Sequence, residues 1–141
     1  MKILVAIDGS VYSQRLLDYL AANREAWLGS SNRCTLLHAV LPVPPHAASM
    51  LDRNLLKDYY REEGEKVLQP AREFFAKHGF EAEFVCKVGS PASVISSTAE
   101  AEHYDLLMLG SHGHSSLGNL VMGSVATKVM AHCGVPVLLV R

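Results

Sequence analysis

Long apolar runs, paired cysteines and an excess of charge of either sign are all missing from this sequence. No apolar stretch approaches the ~18–20 residues that a membrane-crossing helix needs. The apolar part of the opening segment, Met1 to Asp8, is too short to read as a signal peptide. A protein that stays in the cytoplasm, away from membranes, is therefore expected. With 13 Lys and Arg against 14 Asp and Glu, the formal charge of −1 offers no pull on nucleic acid or acidic lipid. The three cysteines, Cys34, Cys86 and Cys133, are scattered and form no Cys-x-x-Cys pair. Such a set reads as reduced core thiols in a reducing compartment. There is no Gly-Lys-Ser/Thr and no Gly-x-Gly-x-x-Gly, so neither a Walker lysine nor a dinucleotide fingerprint is present. Internal repeats, linkers and low-complexity segments are likewise missing.

What is there is an ordinary globular composition, 49% hydrophobic and 19% charged, in 141 residues. That length suits one domain, 1–141. The apolar period switches repeatedly along the chain. Ile3 to Ile7 is a short, nearly all-apolar run that suits a buried parallel strand. Leu16, Leu17, Leu20 and Ala21 then repeat at helical spacing, with Ser10 or Ser13 as N-cap. Cys34 to Leu41 is a second strand, stopped by Pro42, Pro44 and Pro45 and followed by a long loop. A long amphipathic helix comes next, with an apolar stripe from Leu55, Tyr59 and Tyr60 through Leu68 to Phe75, an expected kink at Pro70, and Gly79 closing it. Phe80 to Val88 alternates as an edge strand does. Ser90 and Pro91 start a further helix, Asp105 to Leu109 forms a buried strand, and a last helix from about Ser124 to His132 precedes a final strand, Val137 to Val140.

Alternating strands and helices predict a single-domain open α/β fold, a parallel five-stranded sheet with helices on both faces. The strand order follows from chemistry. The polar, unusual segments are Asp8-Gly9-Ser10 after strand one and Gly110 to Ser124 after strand four. Ligands of open α/β sheets bind beyond the carboxyl ends of strands where the order reverses. Both segments serve one site only if strands one and four are neighbours, which gives 3-2-1-4-5.

Within residues 110–124, Gly110, Gly113 and Gly123 stand out, with Ser124 directly after the last. Glycine permits a positive φ and lets amides approach an anion. Ser124 capping a helix would add free amides and a dipole that favour phosphate. The other reading is a glycine-rich turn that binds nothing. Asp8 has two readings as well, a ligand acceptor or an Asx-turn cap for the first helix. His112 and His114 could suggest a metal, but no third ligand is evident. His38, on a strand, reads as a hydrogen-bonded core residue, whereas His46, His78, His103 and His132 fall at loops or helix ends. Tyr59-Tyr60 and Phe74-Phe75 read as helix-packing pairs.

Gly110-x2-Gly113-x9-Gly123-Ser124 resembles the ATP-binding signature of the nucleotide-binding branch of the universal stress protein family. Val5 to Ser10, Leu36 to Val40, Asp105 to Gly110 and Val135 to Arg141 resemble that family's first, second, fourth and closing strands, so the likeness runs end to end. It implies the adenine nucleotide alpha hydrolase-like fold in the same strand order. It also implies ATP as ligand, with Mg²⁺ arriving on the phosphates. Ala6, Ile7 and Asp8 would line the adenosine pocket, Asp8 accepting from a ribose hydroxyl, and the Ala39 backbone would face the adenine edge. Leu109 and Gly110 would lie along the nucleoside. Gly113, Gly123, Ser124 and Val125 would present amides or a hydroxyl to phosphate. His114 stands where many relatives carry Arg or Lys, which weakens phosphate binding near neutral pH.

Three functions follow from this reading: a nucleotide-responsive stress or signalling module, a slow ATPase or self-phosphorylating protein, and a structural homodimer without nucleotide. Ser111, Ser115 and Ser116 are the possible phosphoryl acceptors, but the loop has no lysine or arginine, which argues against fast turnover. A homodimer through the C-terminal strand is expected, because Val137 to Val140 is an apolar edge while strand three carries Glu81, Glu83 and Lys87.

Overall fold

Ile3, Leu4 and Val5 are fully buried one after another, as a parallel strand covered on both faces requires. They belong to β1 (Lys2–Ala6), the middle of the sheet in the computed structural model, which describes residues 1–114 and 121–141. The chain continues through α1 (Val11–Ala22), α2 (Arg24–Trp27), β2 (Arg33–Val40), α3 (Pro45–Ser49) and α4 (Arg53–His78). It ends with β3 (Glu83–Val88), α5 (Pro91–Ala101), β4 (Leu106–Gly110), α6 (Ser124–His132) and β5 (Val137–Val140). The sheet order is β3-β2-β1-β4-β5, with every pairing parallel. This is the order expected from the two polar segments. In register, Ala6 lies opposite Leu37 on one side and Leu109 on the other.

Alternation in β1 feeds two cores. Ile3, Val5 and Leu36 face Leu16 and Leu20 of α1 together with Leu68, Ala71 and Phe75 of α4. Leu4, Ala6 and Leu37 face Ala92, Ile95 and Ala99 of α5 together with Ala126 and Val129 of α6. The central strand therefore has no polar face, and helices cover the sheet on both sides.

Several local expectations change. The stretch read as a long loop contains α3, and α2 follows α1; both are too short for periodicity to reveal. Phe80 is not in β3. Gly79 takes φ +69°, the chain folds back so that the Phe80 amide donates to the Phe75 carbonyl, and the two rings meet edge to face. Of the cysteines, only Cys34 sits in the core, where burial pushes its thiol up to about 12; Cys86 is exposed on the edge strand and Cys133 half-buried. The helix α4 runs through Pro70 as one element of 26 residues. At ~1.5 Å per residue it is longer than any strand it crosses. Its second half packs on the sheet, whereas Leu55 and Tyr59 in its first half remain 60% and 44% exposed. That overhang lies above the carboxyl ends of the strands.

Candidate functional site

Where β1 and β4 end side by side, their continuations separate and leave a cavity of about 750 Å³. Its floor is Ala6, Ile7 and Asp8 after β1 and Leu109 and Gly110 at the end of β4. Ala39 walls it from β2, and Gly113, His114, Gly123, Ser124 and Val125 wall it from the segment that leads into α6. Every residue named from the sequence as a nucleotide contact thus borders one space. Ser111 does not: it is buried, and its hydroxyl pairs with Nδ1 of His112. Ser115 and Ser116 lie outside the described residues.

The acidic turn is held from several directions. Ser10 N–H donates to Asp8 Oδ1 over 2.9 Å, and the Ser13 hydroxyl donates to the same oxygen over 2.8 Å while accepting from the Asp8 amide. The Ser10 side chain accepts from the Ser13 amide as the N-cap of α1. Asp8 therefore is the acceptor of an Asx turn at the head of α1 and a wall of the cavity at once. Burial pushes its carboxyl up, but hydrogen bonds from Ser10 and Ser13, with His114 nearby, outweigh burial and hold it below the ordinary carboxylate range.

The three glycines are needed for space, not for backbone sign. Among described residues the glycines with positive φ are Gly9, Gly79 and Gly89. A Cβ at Gly113 would instead lie 2.6 Å from Asp8 Oδ2, and one at Gly110 2.8 Å from Tyr12 Cβ. One at Gly123 would meet His112 Cα at 2.9 Å. The loop is pressed against the turn after β1, and His114 adds to this, its Nε2 donating to the Asp8 carbonyl over 2.7 Å. His114 is a strut between the two segments. His112 rests against the Tyr12 ring, so the two histidines serve different neighbours.

At the head of α6 the N-cap is Gly123, and Ser124 is the first helical residue, a correction to the capping role expected for it. Glycine has no side chain with which to cap this end. Thr127 N–H is the first to donate back, to Gly123 O, so the amides of the first turn have no partner within the helix. Ser124, Val125 and Ala126, which carry those amides, all border the cavity.

Residues the sequence reading missed come mostly from the α4 side. Tyr59 and Glu63 overhang the cavity, and Leu41 and Ile95 extend its apolar wall. Tyr59 thus borders the cavity as well as packing on the ring of Tyr60, whose hydroxyl accepts from the Val43 amide. The signal that could have found Tyr59 is length, since a helix so much longer than its strands must project beyond them.

The Asp8 arrangement has a pH consequence. Because its folded carboxyl titrates below the unfolded one, it adds stability above the ordinary value of ~3.9, and that stability is lost as pH falls through the folded value. Asp8→Asn should therefore be less stable than wild type at pH 7 by about 1–2 kcal/mol. The difference should shrink below about pH 4, measured from urea midpoints at both pH values.

The universal stress protein family model matches residues 1–141. Universal stress protein YxiE of Bacillus subtilis is 34% identical, over 99% of this chain and 98% of its own. The solved structure of MJ0577, a universal stress protein of Methanocaldococcus jannaschii, has a TM-score of 0.81 at 26% identity, over 99% of this chain and 94% of that one. Three further universal stress proteins share the fold at lower identity. One from Arabidopsis thaliana has AMP bound (18% identity, TM-score 0.69, 99% and 90% of the two chains). One from Archaeoglobus fulgidus is in complex with dAMP (21%, 0.69, 100% and 98%), and another is in complex with cAMP (24%, 0.66, 100% and 96%). This chain belongs to the universal stress protein family.

Proposed function

We propose that the cavity holds an adenine nucleotide, ATP with Mg²⁺ on its phosphates, and that occupancy rather than turnover is the protein's output in a cytoplasmic stress or signalling role. The observation that carries this is the head of α6, where first-turn amides without a partner inside the helix border a cavity of about 750 Å³ behind a glycine N-cap. Such an end favours an anion through both its N–H groups and its dipole. The opposite wall is apolar, with Ala6, Ile7, Leu109 and Ile95, and suits a base. The nucleotides held by fold relatives, AMP, dAMP and cAMP, agree with that division.

Among the described residues no lysine or arginine borders the cavity. The triphosphate charge would then be met by amides, the Ser124 hydroxyl and a magnesium ion carried with the phosphates. This supports binding more than phosphoryl transfer, which relies on cationic groups around the leaving oxygens. Hydrogen bonds to a charged group contribute ~1.5–3 kcal/mol each, so a few amides suffice for micromolar affinity after entropy losses.

With ATP and Mg²⁺ at a hundredfold excess over the dissociation constant, the fold should gain ~2.7 kcal/mol. For a chain of this length the melting midpoint should rise by roughly 10 °C. Gly113→Val and Gly123→Val should lose that shift, because each side chain would occupy space already taken by Asp8 or His112. Millimolar ATP with Mg²⁺ giving neither heat nor a melting shift with wild type would overturn the proposal in favour of a structural dimer.

A homodimer through β5 fits the same picture. The strand is an edge of the sheet, paired with β4, and each of its residues is half-buried within one chain. Light scattering at micromolar protein should give the mass of two chains, and a monomer mass independent of concentration would refute the pairing.

A further inference from the structure

His38 lies on β2, on the sheet face that carries Leu36 and is covered by α1 and α4. It borders the cavity, and its Nδ1 is 2.8 Å from the carbonyl oxygen of Ile7, just past the end of β1. The Ile7 amide already donates to the Leu37 carbonyl, so strand and side chain together fix the residue that precedes Asp8. A carbonyl oxygen only accepts, and Nδ1 therefore carries the proton. In the neutral imidazole Nε2 is then a bare acceptor. No second partner for the ring occurs among the described residues. Glu63, on the same side of the cavity, likewise offers only acceptor oxygens when ionised.

We propose that Nε2 of His38 makes this protein selective for ligands that present a hydrogen-bond donor to the α4 side of the cavity, an inference that rests on the nucleotide reading above. In an adenine nucleotide two groups have that chemistry, the exocyclic amine of the base and a ribose hydroxyl. Either would satisfy an acceptor that is otherwise removed from bulk water when the cavity fills. A ligand without the donor leaves Nε2 unmatched, and discrimination against absent donors is the strong form of polar selectivity. His38 thus has two functions split between its two nitrogens, one supporting Ile7 and one reading the ligand.

The two nitrogens can be separated by mutation. In His38→Asn the side-chain amide can take the place of Nδ1 toward Ile7, but nothing reaches the position of Nε2. In His38→Gln the longer side chain brings an oxygen to that position. Calorimetric titration of both variants and of wild type with ATP, ITP, 2′-deoxy-ATP and 3′-deoxy-ATP, each with Mg²⁺, distinguishes the outcomes. His38→Asn should bind ATP about tenfold more weakly than wild type, a loss of ~1.4 kcal/mol. It should bind one analogue as wild type does: ITP if the amine is read, a deoxy nucleotide if a hydroxyl is. His38→Gln should restore part of the preference for ATP. An equal loss across all four nucleotides would reduce His38 to a support for Ile7 and overturn the inference, as would an undiminished ATP affinity in His38→Asn. No binding of any nucleotide to wild type would overturn the nucleotide reading, and this inference with it.

Discussion

Between Asp8 and Gly113 there is no room for a side chain: a Cβ at position 113 would lie 2.6 Å from Oδ2. The carboxylate cannot easily yield, because Ser10 and Ser13 hold its other oxygen. That contact depends on the order of the sheet. Only with β1 and β4 adjacent do the turn after β1 and the segment after β4 meet, and only their divergence leaves the cavity. His114 closes the same junction from outside by donating to the Asp8 carbonyl. Sheet order, acidic turn and glycine spacing are therefore one constraint seen at three scales.

The cavity has unlike walls for reasons set by different elements. On the α6 side a helix start with a glycine N-cap offers amides, and Gly123 leaves room for the backbone of Ser111 and His112 beside it. On the α5 side Pro91 and Ile95 give an apolar surface. On the α4 side Tyr59, Glu63 and His38 supply polar groups above the strand ends. A ligand with an anionic tail, a flat apolar body and donors at its rim fits that partition, as an adenine nucleotide does. A like-sized ligand without charge would leave the helix end unmatched.

Much of this was legible in the sequence. The strand order followed from two polar segments that had to meet, and the candidate residues from Ala6 to Val125 do border one cavity. What was not legible has physical causes. The glycines suggested unusual φ, yet their reason is contact with atoms distant in sequence, which spacing cannot reveal. Periodicity placed Tyr59 on an apolar stripe, but a stripe says nothing of where the sheet beneath it ends. Ser124 read as a cap because serine favours that position, whereas Gly123 occupies it, where a Cβ would collide with the His112 backbone. The cysteines looked alike by composition and differ by strand position, central for Cys34 and at the edge for Cys86.

The most direct measurement is a titration of ¹⁵N-labelled protein with ATP and Mg²⁺, followed by amide NMR shifts. The account predicts that the largest changes fall on Ala39, Gly113 and the first turn of α6, Ser124 to Ala126, with α1 beyond its first turn unaffected. Saturating ATP that leaves those amides unmoved, or moves a set elsewhere on the molecule, would contradict it.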